Sequence, residues 1–216
     1  MENFRNLEAK SLERMEKLLV SVSILDESLK LYEENLDKTM KAVTEKIDPD
    51  DWRYYAAEIY SEYHEVQEEL PIVIQHSVLV HVYSIFESIL NKLCAIHKRE
   101  KSLAISLADL KHDGILRAKI YIKKVSCSEF PDNSKEWPDI LLINKIRNII
   151  VHSDSHLSKE KHPDFEKIKK YIEETEGLRL SENSDIVISN NYIKFTINTF
   201  KIFLTELFKS QRKEFN

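Results

Sequence analysis

Residues 72–98 read IVIQHSVLVHVYSIFESILNKLCAIHK, the most apolar stretch of the chain. Its longest apolar part, Val78 to Leu93, is interrupted by His81, Ser84, Glu87 and Asn91, a pattern that suits a buried core helix better than a membrane span. The reading is therefore a central helix around which the rest packs. The whole chain supports a helical architecture. It has 216 residues and only two glycines, Gly114 and Gly177, where average usage would give roughly 15. Turns with positive φ, β-bulges and phosphate-cradling loops lean on glycine. That scarcity argues against a sandwich, a barrel or a Rossmann sheet. Neither GxGxxG nor GxxxxGK[ST] occurs, which removes both glycine-loop nucleotide motifs. The expected fold class is all-α, a helical bundle with a long N-terminal helix and a small β-hairpin before the C-terminal helix.

Upstream, Phe4 to Ile47 forms one long amphipathic pattern. Leu7, Met15, Leu18, Val22, Leu25, Leu29, Tyr32, Leu36, Met40 and Val43 recur at three- and four-residue steps without a proline or glycine. Asp48-Pro49-Asp50-Asp51 ends it and opens a second helix from Trp52 to Glu69, which Pro71 separates from the central one. Residues 1–69 thus read as a helical arm and residues 70–216 as the main domain. Downstream, a loop with a short helical piece spans Lys101 to Asp113, and helices are expected at Ile115–Val125, Ser134–His152 and Pro163–Glu176. Gly177 suits the left-handed position after that last helix. Short strands at Leu178–Leu180 and Asp185–Ile188, joined by Ser181-Glu182-Asn183-Ser184, make the hairpin, and Asn191–Lys209 is the closing helix.

Net charge is −5, so any contact with nucleic acid must use a local basic patch. Two cysteines, Cys94 and Cys127, make no disulfide framework, and the N-terminal MENFRNLEAKSLERMEK has no apolar signal-peptide core. The expected location is the cytoplasm, with no membrane partner.

The chemistry concentrates in Ile140–His152, ILLINKIRNIIVH. On a helical wheel the aliphatic residues fill one arc, while Asn144, Lys145, Asn148 and His152 fill another. Arg147 falls between Ile143 and the pair Ile140 and Val151, where a cation needs a carboxylate, a phosphate or a route to solvent. Glu87, on the central helix beside Tyr83, is the expected partner.

The hexapeptide Arg147-Asn148-Ile149-Ile150-Val151-His152 resembles the R-x(4–6)-H motif of the HEPN superfamily (higher eukaryotes and prokaryotes nucleotide-binding domain). An upstream apolar helix carrying Glu87, a polar loop after the motif, a short hairpin and a closing helix agree with it. The resemblance covers about 70–207 and leaves the arm outside. It implies a HEPN-like bundle that acts as a metal-independent, cofactor-free endoribonuclease of toxin or defence type. It also implies a homodimer in which two motifs face each other in one composite site, with an antitoxin or defence protein as a further partner. His152 would be the acid/base group and Arg147 the phosphate-binding cation, with Asn148 and Glu87 in support. Arg147 and His152 lie about 140° apart around a helix, so a long side chain, a frayed turn or a second protomer must bring them together. The alternative is a non-catalytic HEPN-like interaction or scaffold module, with Arg147 in a core ion pair and His152 as a helix cap. A tyrosine that some family members carry two residues after the histidine is Asp154 here, so its regulation is not carried over.

Other constellations are weaker. Lys119, Lys123, Lys124 and Lys145 offer a basic patch for RNA, with a solvated face as the plain alternative. His152, His156 and His162 have spacing compatible with zinc only if helical, and no metal is expected. Tyr54, Tyr55, Tyr60 and Tyr63 read as helix packing rather than base stacking. The acidic run Glu58, Glu62, Glu65, Glu68 and Glu69 would repel RNA.

Overall fold

The computed structural model describes residues 2–48, 51–52, 54–56, 61, 63, 67, 69–111 and 113–215. Most of the second helix expected at 52–69, including Tyr60, Glu58, Glu62, Glu65 and Glu68, lies outside the described residues. The fold is all-α with one two-stranded hairpin. Its order is α1 (Glu2–Thr44), α2 (Leu70–Glu100), α3 (Gly114–Ile120), α4 (Glu136–His152), α5 (Phe165–Glu174), β1 (Leu178–Leu180), β2 (Ile186–Ile188) and α6 (Asn190–Gln211). Short 3₁₀ turns follow at Leu107–Asp109 and Arg212–Glu214.

The central position expected for residues 72–98 is what α2 occupies. Leu79, Val82, Phe86, Leu90 and Leu93 are wholly buried. α6 lies against it, with the Phe86 ring stacked on Phe200 at 4.1 Å. Phe203 joins that pair to Trp137 of α4, ring centroids 5.4 Å apart. Among the described residues α2 is the one helix long and apolar enough to cross a bilayer, and its apolar face is taken up by this core.

α1 at 43 residues would extend roughly 65 Å. Its two halves differ. Phe4, Met15 and Val22 share one core cluster with α2 and α6, and Phe4 stacks on Phe215 at 4.7 Å. Glu8 accepts from Arg212 at 2.6 Å, and Asp26 accepts from Asn190 at 2.9 Å. The boundary placed at residue 69 therefore does not coincide with a break in the core. No buried residue occurs in α1 beyond Val22.

Local sequence explains the other elements. α3 starts at Gly114 (φ +56°) and runs into a π-type turn, Tyr121–Val125, closed by the Ser126 amide donating to the Tyr121 carbonyl at 2.9 Å. The i,i+4 pattern gave no sign of that wider turn. Gly177 (φ +82°) follows α5, and a Cβ there would stand 2.6 Å from Ser189 Oγ and 2.7 Å from the Tyr192 amide nitrogen. The hairpin pairs Leu178 with Ile188, Arg179 with Val187 and Leu180 with Ile186.

Candidate functional site

α4 carries the motif. Glu136 and Asp139 sit in its first turn and His152 in its last, the charge order a helix dipole favours. Trp137, Ile140, Ile143, Ile146 and Ile149 bury one side in the core. That burial fixes the rotation of the helix and so the direction of its polar side.

Four side chains on or against α4 form one chain of hydrogen bonds. The Tyr83 hydroxyl of α2 donates to Asn144 Oδ1 at 2.8 Å. Asn148 Nδ2 donates to the same Asn144 oxygen at 3.3 Å. Arg147 Nη1 donates to Asn148 Oδ1 at 2.9 Å. The guanidinium also lies over the Tyr83 ring, 5.3 Å from its centroid, within cation–π range. Its Nε is buried without a partner.

The ion pair expected between Arg147 and Glu87 is not formed. Asn148 and the Tyr83 ring take up the guanidinium instead, while the Glu87 carboxylate turns toward Gly114, where an added Cβ would lie 3.8 Å from Oε1. The two charges meet through Tyr83. Burial raises its hydroxyl pKa, Glu87 raises it further, and Arg147 opposes both. The wheel set the angle of Arg147 and of Glu87 within each helix but carried no information on which third group would stand between them.

His152 ends α4 with an exposed ring that makes no hydrogen bond among the described residues. It lines a cleft of about 230 Å³ together with Lys145, Asn148, Ser153, His162 and Asp164. Asn148 therefore belongs to both the Arg147 network and the His152 cleft. Arg147 itself does not line that cleft, so one motif does not bring its two functional groups into one space. His162 has its Nδ1 3.0 Å from the Ser158 carbonyl oxygen and its Nε2 3.3 Å from Ser153 Oγ. It reaches this cleft because the loop after α4 folds back. Its histidine spacing alone suggested a weak metal pattern. Among the described residues no group of three or more His, Cys, Asp or Glu is arranged to hold a metal. His156 is instead paired with Asp185 at 3.1 Å.

The lysines grouped as an RNA-binding patch are distributed otherwise. Lys119 and Lys123 share Asp132, at 2.9 and 2.8 Å. Lys119 also lies over the Trp137 ring at 5.3 Å. Lys145 is paired with Asp164 at the edge of the cleft. Lys124 is exposed and makes no ion pair among the described residues.

The loop after the motif is firmly held. Asp154 (φ +49°) and Ser155 (φ +66°) are two successive left-handed residues that are not glycine. They let the backbone turn back so that the Ile186 amide donates to the Ser155 carbonyl at 2.9 Å and the Leu157 amide donates to the Ser184 carbonyl at 3.0 Å. His76 of α2 bridges Ser155 Oγ and the Ile186 carbonyl, at 3.2 and 3.0 Å. Burial lowers the pKa of that ring.

Comparison with protein-family models, with curated proteins and with solved structures finds no match to this chain.

Proposed function

We propose that this chain is a metal-independent endoribonuclease of the HEPN type, with His152 as its acid/base group and Arg147 as its phosphate-binding cation. The observation that carries the reading is Asn148, which holds Arg147 on one side and lines the His152 cleft on the other. His152 has an unengaged ring at the mouth of a cleft that also holds Lys145 and His162. In the proposed step the substrate's 2′-oxygen attacks the adjacent phosphorus and its proton passes to one imidazole. The P–O5′ bond breaks and the leaving oxygen takes a proton from a second acid. The products are a 2′,3′-cyclic phosphate and a 5′-hydroxyl. An imidazole suits this work because its ordinary pKa lies near neutrality.

The proposed working unit is a homodimer, since Arg147 and His152 do not share a cleft within one chain. A composite site would take the cation from one protomer and the imidazole from the other.

A second reading is favoured by one specific feature. The Tyr83–Asn144–Asn148–Arg147 network and the buried Nε of Arg147 also suit a structural role, as in a non-catalytic HEPN-like module. The test separates the two. Wild type and His152→Ala are expressed, and host growth, RNA integrity and RNA end chemistry are compared. The ribonuclease reading expects a cleavage rate lower by ~10²- to 10⁴-fold in the variant. Equal cleavage by both, or none by either, supports the non-catalytic module.

A further inference from the structure

A groove of about 600 Å³ runs between α1 and α2, away from the His152 cleft. Lys10 and Arg14 come from α1; His81, Lys92 and Arg99 come from α2. No carboxylate is found among its described lining residues, although the chain carries a net charge of −5. Lys10, Arg14 and Lys92 form no ion pair among the described residues, and only Arg99 is engaged, by Glu100 at 3.1 Å. Glu13, three residues beyond Lys10 on α1, is paired with Lys17 at 2.5 Å and feels the charge of Lys10 only as a lesser influence. Such a concentration of unpaired cations repels itself and is offset by an anionic ligand.

The chemistry of the lining narrows that ligand. The floor isoleucines Ile85, Ile89 and Ile96 are only 6%, 5% and 8% exposed, and half-buried Leu7 and exposed Ala95 also line the groove. Its polar groups are cations, an imidazole, hydroxyls and amides. From Lys92 to Arg99 the α2 cations span roughly 10 Å of helix, with Lys10 and Arg14 on α1 lining the same groove, more than a single phosphate covers. No phenyl, phenol or indole ring is found among its described lining residues for base stacking. This favours backbone contact without base readout. The groove also leads toward the motif. Ser84, Ser88 and Lys92 line both it and a shallower depression that holds Glu87 and Asn91, and Glu87 and Arg147 bear on Tyr83 in opposite directions.

We infer that the α1–α2 groove binds the phosphodiester backbone of RNA, independent of sequence. The choice of RNA over other polyanions rests on the ribonuclease reading. The site itself rests on the groove.

Binding is read by fluorescence anisotropy on a labelled 2′-O-methyl oligonucleotide of roughly 20 nucleotides, which cannot be cleaved by 2′-hydroxyl attack. The full-length wild type should bind it with a log–log salt slope of about −3, as four phosphate contacts predict for a single strand. K10E/R14E/K92E should weaken binding at least ~10-fold and flatten the slope by about 2. K10R/K92R should bind like wild type. All these side chains are exposed, and thermal melts check that each variant is folded. The inference is overturned if wild type does not bind, or if the triple variant binds within about twofold of it. It is also overturned if poly-glutamate competes as strongly as unlabelled oligonucleotide, which would make the groove a site for acidic protein. Cleavage of ordinary RNA is scored separately. Groove-dependent binding without cleavage removes the ribonuclease reading and leaves the groove. Cleavage without groove-dependent binding does the reverse.

Discussion

Asn148 shows how much depends on one side chain. It donates to Asn144, accepts from Arg147 and lines the cleft beside His152. Asn148→Ala should release the guanidinium and lower RNA cleavage, while Asn148→Asp, which keeps the acceptor, should retain Arg147 in place; a comparison of cleavage rates checks this. Tyr83→Phe deletes the hydroxyl that donates to Asn144 and should cost ~1 kcal/mol in chemical denaturation. His97 makes a pH prediction. It is wholly buried, with Nδ1 2.6 Å from Ser126 Oγ. Burial, with Lys101 acting in the same direction, pulls its pKa down to about 4 from 6.5. The unfolded chain therefore binds the proton first as pH falls. Stability from this ring is complete above pH 6.5, is lost between 6.5 and about 4, and is level below that. The slope is at most about 1.4 kcal/mol per pH unit. Melting temperatures measured from pH 7 to 4 should fall less steeply in a folded His97→Gln variant than in wild type. At this scale the sequence was a partial guide. Arg147, Asn148 and His152 stand out because polar groups interrupt an aliphatic pattern. Asn144 stands out in the same way, but Tyr83 carries no such mark, because its role arises only when α2 and α4 meet. The pairing of Glu87 with Arg147 failed for the same reason, since a wheel holds the angle within one helix and not the third residue between two.

The helices and hairpin were largely legible, because their signals are local: periodicity, a proline near a helix start, a glycine past its end. The strands lie at Leu178–Leu180 and Ile186–Ile188, and the last helix at Asn190–Gln211, within two residues of the expected limits. The π-type turn at Tyr121–Val125 was not, because it differs from an α-turn only in which carbonyl each amide finds. Two element-scale predictions follow from backbone geometry. Gly177→Ala combines φ +82° with a Cβ 2.7 Å from the Tyr192 backbone nitrogen, and should destabilise by more than the ~1–3 kcal/mol of strained φ alone. Gly114→Ala has the same sign of φ but ordinary clearance at 3.8 Å. It should cost about 1–2 kcal/mol. Thermal melts of the two variants should rank them in that order.

At the scale of the molecule, α1 decides what counts as one folded unit. The amphipathic pattern identified a long helix but held no information on where it would be covered. That depends on α6, which supplies Phe208, some 200 residues along the chain, against Phe4. Phe4→Ala should therefore destabilise the whole chain by ~3–5 kcal/mol in a single transition. A separate low-temperature loss of helix would show the arm to be independent. The composite dimer has its own test at this scale. Mixing Arg147→Ala protomers with His152→Ala protomers should recover part of the cleavage that each variant lacks, because a heterodimer keeps one site with both groups. No recovery at any mixing ratio would rule out a site shared between copies. Last, the loop that leaves the motif is tied through its backbone to the hairpin and through His76 to α2. In amide hydrogen exchange the protons of Leu157 and Ile186 should then open together, as one cooperative unit with the hairpin. Occupancy of the His152 cleft would be readable as slowed exchange at β2, outside the residues that line it.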